Sequence, residues 1–237
     1  SATSGSWSGG SGATKDIYVE VRGEKREVRE GKIVVLAKFL YFVPFSKSVF
    51  AMFVHYTTVS SDEEVQQILD LQALNHASVL GANTMREQGF LTVKHDPEVL
   101  LRMNRTAPAI IAKAGEQVVG YALVMPREFA AEVPVLLPMF AMLDKLEWNN
   151  EALRANPRWF VMGQICVADG YRGQGIFDGM YLKMKEVCRE QYDFTITEVA
   201  ERNTRSIRAH ERVGFQTLHQ YPDETSGERW RVVILEL

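Results

Sequence analysis

Ile165-Cys-Val-Ala-Asp-Gly-Tyr-Arg-Gly-Gln-Gly-Ile176 is the stretch on which the reading of this chain turns. Trp159–Val167 ahead of it is almost wholly apolar, as expected for a strand buried on both faces. Behind it, Gly175–Gln191 carries Ile176, Met180, Tyr181, Met184, Val187 and Cys188 at helical spacing on one face. Glycines at 173 and 175 let the backbone turn tightly, so that several N–H groups face one point. A helix N-terminus directly behind them adds its positive dipole end. That arrangement binds a phosphate or pyrophosphate without a lysine, and Arg172 would add a charge-assisted contact. The plainer alternative is a tight strand-to-helix turn with a solvated arginine. No Gly-Lys-Ser/Thr follows, so it is not a P-loop, and the three-glycine spacing of a dinucleotide fingerprint is missing.

Outward from this stretch the periodicities predict a mixed α/β order. Phe194–Val199 reads as a strand, Thr204–Arg212 as a helix, and Phe215–Tyr221 with Trp230–Leu237 as a closing pair of strands. Upstream, Phe53–Thr58 reads as a strand. Ser60-Ser61-Asp62-Glu63-Glu64 opens a helix with acids in its first turn, and Val65, Ile68 and Leu69 continue its apolar face. Pro97–Met103 predicts a short helix. Ala109–Ala114 and Gln117–Val124, joined through Gly115-Glu116, predict a hairpin. Glu128–Asn150, with Pro134 and Pro138, predicts an irregular helical insertion. The chain contains no internal repeat.

The first residues read differently. Ser1–Thr14 has the Ser/Gly composition of a leader or linker. Lys15–Ala51 is β-rich: Ile17, Val19 and Val21 alternate with polar residues, Gly23 offers a turn, Arg26–Arg29 returns, and Ile33–Phe45 is a continuous β-type run. Met52 resembles a native start, so residues 1–51 are expected to lie outside the main domain, which spans 52–237.

A formal charge of −3 and a hydrophobic fraction of 46% describe a globular chain with nothing global that points to nucleic acid or an anionic membrane. Ile33–Phe45 is interrupted by Lys38 and falls short of the ~20 residues that span a bilayer. The start has no basic segment followed by an apolar run, as a signal peptide would. Cys166 and Cys188 sit in apolar settings, which suits buried free thiols in a cytoplasmic protein. No Cys/His cluster has zinc spacing, so no metal is expected.

A second stretch narrows the function. Glu198-Val199, then Asn203, Ile207, His210 and Gly214-Phe215, follow the first stretch in order. The Arg172–Phe177 loop resembles the cofactor motif of the GNAT superfamily of N-acetyltransferases, Arg/Gln-x-x-Gly-x-Gly/Ala. Arg172 and Gly175 match its first two fixed positions, and Val167 with Tyr171 matches the usual lead-in. The later stretch resembles that family's Glu-Val-x-x-x-Asn, helix, Tyr-Glu-Lys-x-Gly-Phe. Phe177 stands where the family usually has Gly or Ala, Asp169 where it often has proline, and His210 where it has tyrosine.

The resemblance covers Met52 to Leu237 in element order. It implies a mostly antiparallel mixed sheet flanked by helices, opened into a cleft between Trp159–Val167 and Phe194–Val199. It also implies acetyl-CoA as cosubstrate. The amides of Arg172, Gly173, Gln174, Gly175, Ile176 and Phe177 would bind the pyrophosphate. Ile165–Val167 would pair with pantetheine like an added strand, with the Val167 N–H near the thioester oxygen. Asn203 would bond pantetheine or cap the following helix.

In relatives of the ribosomal-protein acetyltransferases, a glutamate at the position of Glu198 is the base and the tyrosine at the position of His210 the acid. A carboxylate can take the proton of an arriving ammonium, and an imidazole titrates in the range needed to meet a departing thiolate. The alternative for Glu198 is an exposed strand carboxylate, and for His210 a packing residue that caps the neighbouring turn. Gln164 cannot be a base but could position substrate, and Tyr171 is expected to pack.

The reaction expected is direct attack of a small-molecule or peptide amine on acetyl-CoA in a ternary complex. The alternative is a non-catalytic CoA- or acyl-CoA-binding module, and a homodimer is left open. Phe129, Phe140, Trp148 and Trp159 are expected in the acceptor wall.

Overall fold

The structure, a computed structural model, describes residues 17–21, 24–29, 32–33, 53–79, 91, 93–224 and 227–237. The chain divides into two compact units, Ser1–Ala51 and Met52–Leu237. In the first, β1 (Ile17–Val21) and β2 (Glu24–Arg29) pair antiparallel, and β3 (Lys32–Ile33) adds to β2. The rest of the apolar run predicted from Ile33 to Phe45 lies outside the described residues.

The second unit is a three-layer α/β structure. Its sheet holds β4 (Val54–Thr58), β5 (Ile110–Ala114), β6 (Gln117–Met125), β9 (Trp159–Val167), β10 (Phe194–Ala200), β11 (Gln216–Pro222) and β12 (Arg229–Glu236). In space the order is β11-β12-β10-β9-β6-β5-β4. All neighbours are antiparallel except β9 and β10, the one parallel pair in the middle. That pairing extends only over Phe194↔Trp159, Thr195↔Phe160 and Ile196↔Val161. Beyond it the two strands separate, and from Met162 to Val167 β9 has no strand partner on this side.

A bulge helps to open this gap. Ala122 faces Ile165 and Val124 faces Met162, so Gly163 and Gln164 both stand against Leu123. A bulge of this kind bends the strand that carries it. It also changes which face the following side chains take: Trp159 and Val161 point into one core, while Ile165 and Val167 pack on the other.

The helices cover both faces. α1 (Asp62–Asn75), α2 (Pro97–Thr106) and α3 (Leu137–Leu143) contribute Val65, Ile68, Leu100, Met103 and Leu143 to the core around Tyr121, Val161 and Val232. α4 (Ile176–Cys188) and α5 (Thr204–Arg212) bury Met180, Met184 and Ile207 against Val124, Phe160 and Val233. α1 starts as its sequence demands. The Ser61 hydroxyl accepts the Glu64 N–H at 3.3 Å, and the Glu64 carboxylate reaches back to the Ser60 N–H at 2.7 Å. Asp96 caps α2 by accepting from Glu98 and Val99, with Pro97 at the first helical position.

The insertion between β6 and β9 is two 3₁₀ turns (Arg127–Glu132, Pro134–Leu136), α3, and a two-residue hairpin of β7 (Glu147–Trp148) with β8 (Glu151–Ala152). Its aromatic residues correct an expectation. Phe129, Phe140 and Trp159 are buried in the core and Trp148 packs against it. None of them lines the cleft. Bulky rings spaced along an irregular segment find their burial in the nearest core, and the same composition would have suited a substrate wall.

Candidate active site

The loop after β9 has the backbone that its glycines suggest. Gly170, Gly173 and Gly175 have φ of 82°, 75° and 78°, the left-handed region that side chains with a Cβ rarely adopt. Gly175 is the N-cap of α4 and has no capping side chain, so the first N–H groups of the helix are left for a ligand. An open cleft of about 310 Å³ lies against this turn. It is bounded by Ile165, Val167, Arg172, Gly173, Gly175, Ile176 and Phe177 on one side and by Asn203, Arg205, Ser206, Arg208 and Arg212 on the other. Gln174 turns its side chain back to the Gly170 carbonyl at 2.8 Å and serves the shape of the turn.

Arg172 lines the cleft, as the phosphate contact expected of it requires, and also holds a structural place. Its Nε donates to the Val167 carbonyl at 2.9 Å and its Nη2 donates to Asn75 Oδ1, so it ties the end of β9 to the end of α1. The bond to Val167 is informative. The Ala168 N–H is spent on Val119 of β6 at 2.8 Å. By strand alternation the Val167 N–H therefore faces the open edge.

A second cavity of about 100 Å³ continues from the first and shares Leu91, Ile165, Asn203 and Ser206 with it. Glu198, His210, Gln164, Met162, Val93 and Trp230 line it. The two residues expected to carry chemistry therefore meet one cavity, but they approach from different layers. Glu198 is on β10, opposite Val232, and shares the face of the α1 core. His210 belongs to α5 on the other face.

Glu198 accepts a hydrogen bond from the Tyr221 hydroxyl at 2.7 Å. Burial pushes its pKa up to about 7, against the lowering effect of Tyr221, and Asp223 adds a smaller upward push. A carboxyl poised there can be ionised and still be basic enough to take a proton.

His210 has the opposite character. Its ring is 2% exposed and sits edge-on to Phe177, Tyr181 and Phe215 at 5.2, 5.9 and 4.9 Å. Nδ1 is 2.8 Å from the Ser206 carbonyl, which can only accept, so the proton is on Nδ1. Nε2 is then a lone pair with no hydrogen-bond partner. Burial pushes the pKa down to about 4. Near neutral pH this imidazole is uncharged, and its single proton is held by α5. In this arrangement the ring packs in an aromatic cluster and its one proton is engaged by Ser206.

Asn203 is the N-cap of α5 and accepts the Ser206 N–H at 3.2 Å, and it lines both cavities. Tyr171 packs against the core of the α4 face. Gln164 is held by a buried network. Its Oε1 accepts from Gln72 and from Tyr121, each at 2.6 Å, and its Nε2 donates to the Val93 carbonyl at 2.8 Å. Both thiols are buried, and burial pushes them up to about 12 for Cys166 and about 11 for Cys188, which disfavours the thiolate near neutral pH. Among the described residues no cluster of three His, Cys, Asp or Glu side chains is placed to hold a metal, and no helix is long and apolar enough to cross a membrane.

Sequence reasoning missed Tyr221, Gln72, Tyr121 and Asn75, which hold Glu198, Gln164 and Arg172. It also missed the arginines of α5, although Arg205, Arg208 and Arg212 are spaced for one helix face and could have been found.

A family model for the acetyltransferase (GNAT) family matches residues 80–215, more than half of the chain. The chain belongs to the GNAT acetyltransferase family. The solved structures agree on the fold. The yncA protein of Salmonella typhimurium, determined with its cofactor acetyl-CoA, aligns over 78% of this chain and 94% of its own at 14% identity and a TM-score of 0.52. Ribosomal-protein-alanine N-acetyltransferase from Brucella melitensis aligns over 77% and 99%, at 17% identity and a TM-score of 0.51. A GNAT-family acetyltransferase from Streptococcus agalactiae aligns over 78% and 95%, at 14% identity and a TM-score of 0.52. No curated protein matches the chain. The splayed parallel pair and the glycine turn together form the cleft of this acetyltransferase.

Proposed function

We propose that this acetyltransferase moves an acetyl group from acetyl-CoA to an amine by direct attack, with both partners bound in the cleft between β9 and β10. The observation that carries the reading is the continuity of the two cavities. One ends on the uncapped N-terminus of α4, the other holds a carboxyl poised near neutrality, and the open edge of β9 runs between them. The amides of Arg172 to Phe177 take the pyrophosphate, Arg205 supplies positive charge beside it, and Arg208, farther along α5, meets the ribose phosphate. Pantetheine follows the edge of β9 as an added strand. The Val167 N–H meets the thioester oxygen, where it stabilises the charge that develops as the amine attacks.

Glu198 accepts the proton of the arriving ammonium, directly or through water. Placing the two substrates side by side supplies much of the acceleration and requires no covalent enzyme intermediate. His210 fixes the start of the cleft by packing. The departing thiolate, with an ordinary thiol pKa of ~8.5, leaves without a dedicated acid. The transferase is assigned to Met52–Leu237, in a cytoplasmic protein with Ser1–Ala51 outside the catalytic unit.

Gly175→Glu tests the cofactor half of this reading. A ligand that binds only the native state raises the melting temperature by mass action. Acetyl-CoA should do so for the unaltered protein. The variant should lose the shift, because its carboxylate sits against the phosphates and its backbone is strained at positive φ. Equal shifts in the two proteins would remove the loop from the site.

A further inference from the structure

We infer that Tyr221 is the positioning residue for Glu198, delivered to it by a one-residue bulge in the edge strand β11. The inference rests on Glu198 as the base in the reading above. Tyr221 does not belong to a strand that touches β10, since β12 lies between them. Its reach is a matter of register. Glu198 stands opposite Val232, and Val232 stands opposite His219, so those three side chains share a face. Tyr221, two residues on, stands opposite Trp230 on that same face and reaches diagonally to the carboxyl, 2.7 Å away.

This holds only because of the bulge at Leu218. Thr217 pairs with Val233, and the next pairing is His219 with Val232. In a regular strand Leu218 would take that position and Tyr221 would fall opposite Arg229, with its ring on the far side of the sheet. The extra residue reverses the alternation, as a bulge does when it re-aims a side chain. His219 then stacks on Tyr221, with ring centroids 6.1 Å apart and planes 14° apart, and braces it from its own strand.

The chemistry follows from which partner holds the proton. Burial and the adjoining carboxylates of Glu198 and Asp223 push the Tyr221 hydroxyl well above its usual acidity range, so it stays a donor. It occupies Oε1 of Glu198 and leaves Oε2 for the incoming ammonium. The titratable groups on the face around Glu198 are Tyr221 and His219 from β11, Asp223 from the turn after it, and His210 across the cavity; Trp230 and Val232 of β12 carry no charge. Of these, Tyr221 donates the hydrogen bond to the carboxylate that favours its ionised form. It therefore holds one rotamer and keeps the base ionised at a lower pH than its burial would allow.

The test is Tyr221→Phe in the full chain, which keeps the ring and removes only the donor. The Glu198 carboxyl carbon is titrated by NMR with ¹³C-labelled glutamate, its signal identified by its absence in Glu198→Gln. The midpoint should rise by about one pH unit in the variant. Rates with acetyl-CoA and a panel of primary amines and dipeptides should show the acidic limb moving up by the same amount. At pH values below that limb kcat should fall roughly tenfold, with KM for acetyl-CoA unchanged. An unmoved midpoint overturns the inference and leaves the base assignment standing. A midpoint that moves while the rate profile has no matching limb overturns Glu198 as the base instead.

Discussion

Replacing Glu198 with glutamine separates what the carboxyl does for catalysis from what it costs the fold. The amide has the same shape and can still accept the Tyr221 hydrogen bond, so the change removes a titration and little else. Losing a general base should lower turnover roughly 10²–10³-fold, or about 3–4 kcal/mol of barrier, with acetyl-CoA affinity nearly unchanged. The carboxyl is raised from 4.5 to about 7 in the folded protein, chiefly by burial. Between those values the native state binds the proton more tightly than the unfolded chain. The carboxyl's contribution is therefore most favourable below pH 4.5 and is lost as pH rises through about 7. At about 1.4 kcal/mol per unit, the full shift corresponds to about 3 kcal/mol, and partial solvent access reduces it to about 1–2. Glutamine carries no such penalty. The variant should therefore melt a few degrees above the parent at pH 9 and level with it at pH 4.5. Melting curves across pH measure one half of this, and initial rates across pH the other. A melting difference that does not change with pH would refute the raised pKa. An acidic limb that survives in the variant would assign the base to another group.

Two further variants address the scaffold and the cofactor. A Cβ on Gly179 of α4 would meet the far end of the Tyr56 ring on β4 and push it aside, so Gly179→Ala should cost about 1–2 kcal/mol despite alanine's better helix propensity. Tyr56→Val should relieve most of that loss, and chemical denaturation of the two single variants and the double variant measures the coupling; simple additivity would argue against the contact. Arg208→Ala should weaken CoA about three- to tenfold while leaving dephospho-CoA unchanged, since Arg208 lines the cleft on the exposed face of α5 and would meet the ribose phosphate. Calorimetry with both ligands decides it, and a parent protein that binds them equally tightly would exclude that contact.

The sequence announced the elements around the site more fully than the contacts within it. Trp159–Val167 and Thr204–Arg212 have the bounds read from their periodicity, because each is a long segment with one pattern and a clear breaker at its end. The glycine turn was legible for a similar reason, since positive φ at Gly173 and Gly175 is a local demand that few residues meet. What could not be read was anything set by register. The bulge at Gly163 and Gln164 that helps to part β9 from β10, and the bulge at Leu218 that turns Tyr221 toward Glu198, each depend on a partner strand far along the chain. The same holds for Arg172, whose partner Asn75 lies at the end of α1. A charged residue next to a phosphate-binding turn invites a phosphate contact, and only the tertiary structure shows that its guanidinium also locks a strand to a helix.

Phe177 and His210, the two departures from the family pattern at the cleft, form one packing unit. Their rings meet edge to face at 5.2 Å, and Tyr181 and Phe215 close the cluster around them. The larger ring comes from α4 and the smaller from α5, and together they pack closely where the two helices meet beneath the cleft. The imidazole keeps its only proton on the Ser206 carbonyl. On the proposed reading, proton transfer is therefore concentrated on one side of the sheet. Glu198 and the Tyr221 that steadies it manage the amine's proton, and the thiolate departs on its own acidity. An enzyme arranged in this way should be limited at low pH by its base, and at high pH should show no loss of activity from an exhausted acid.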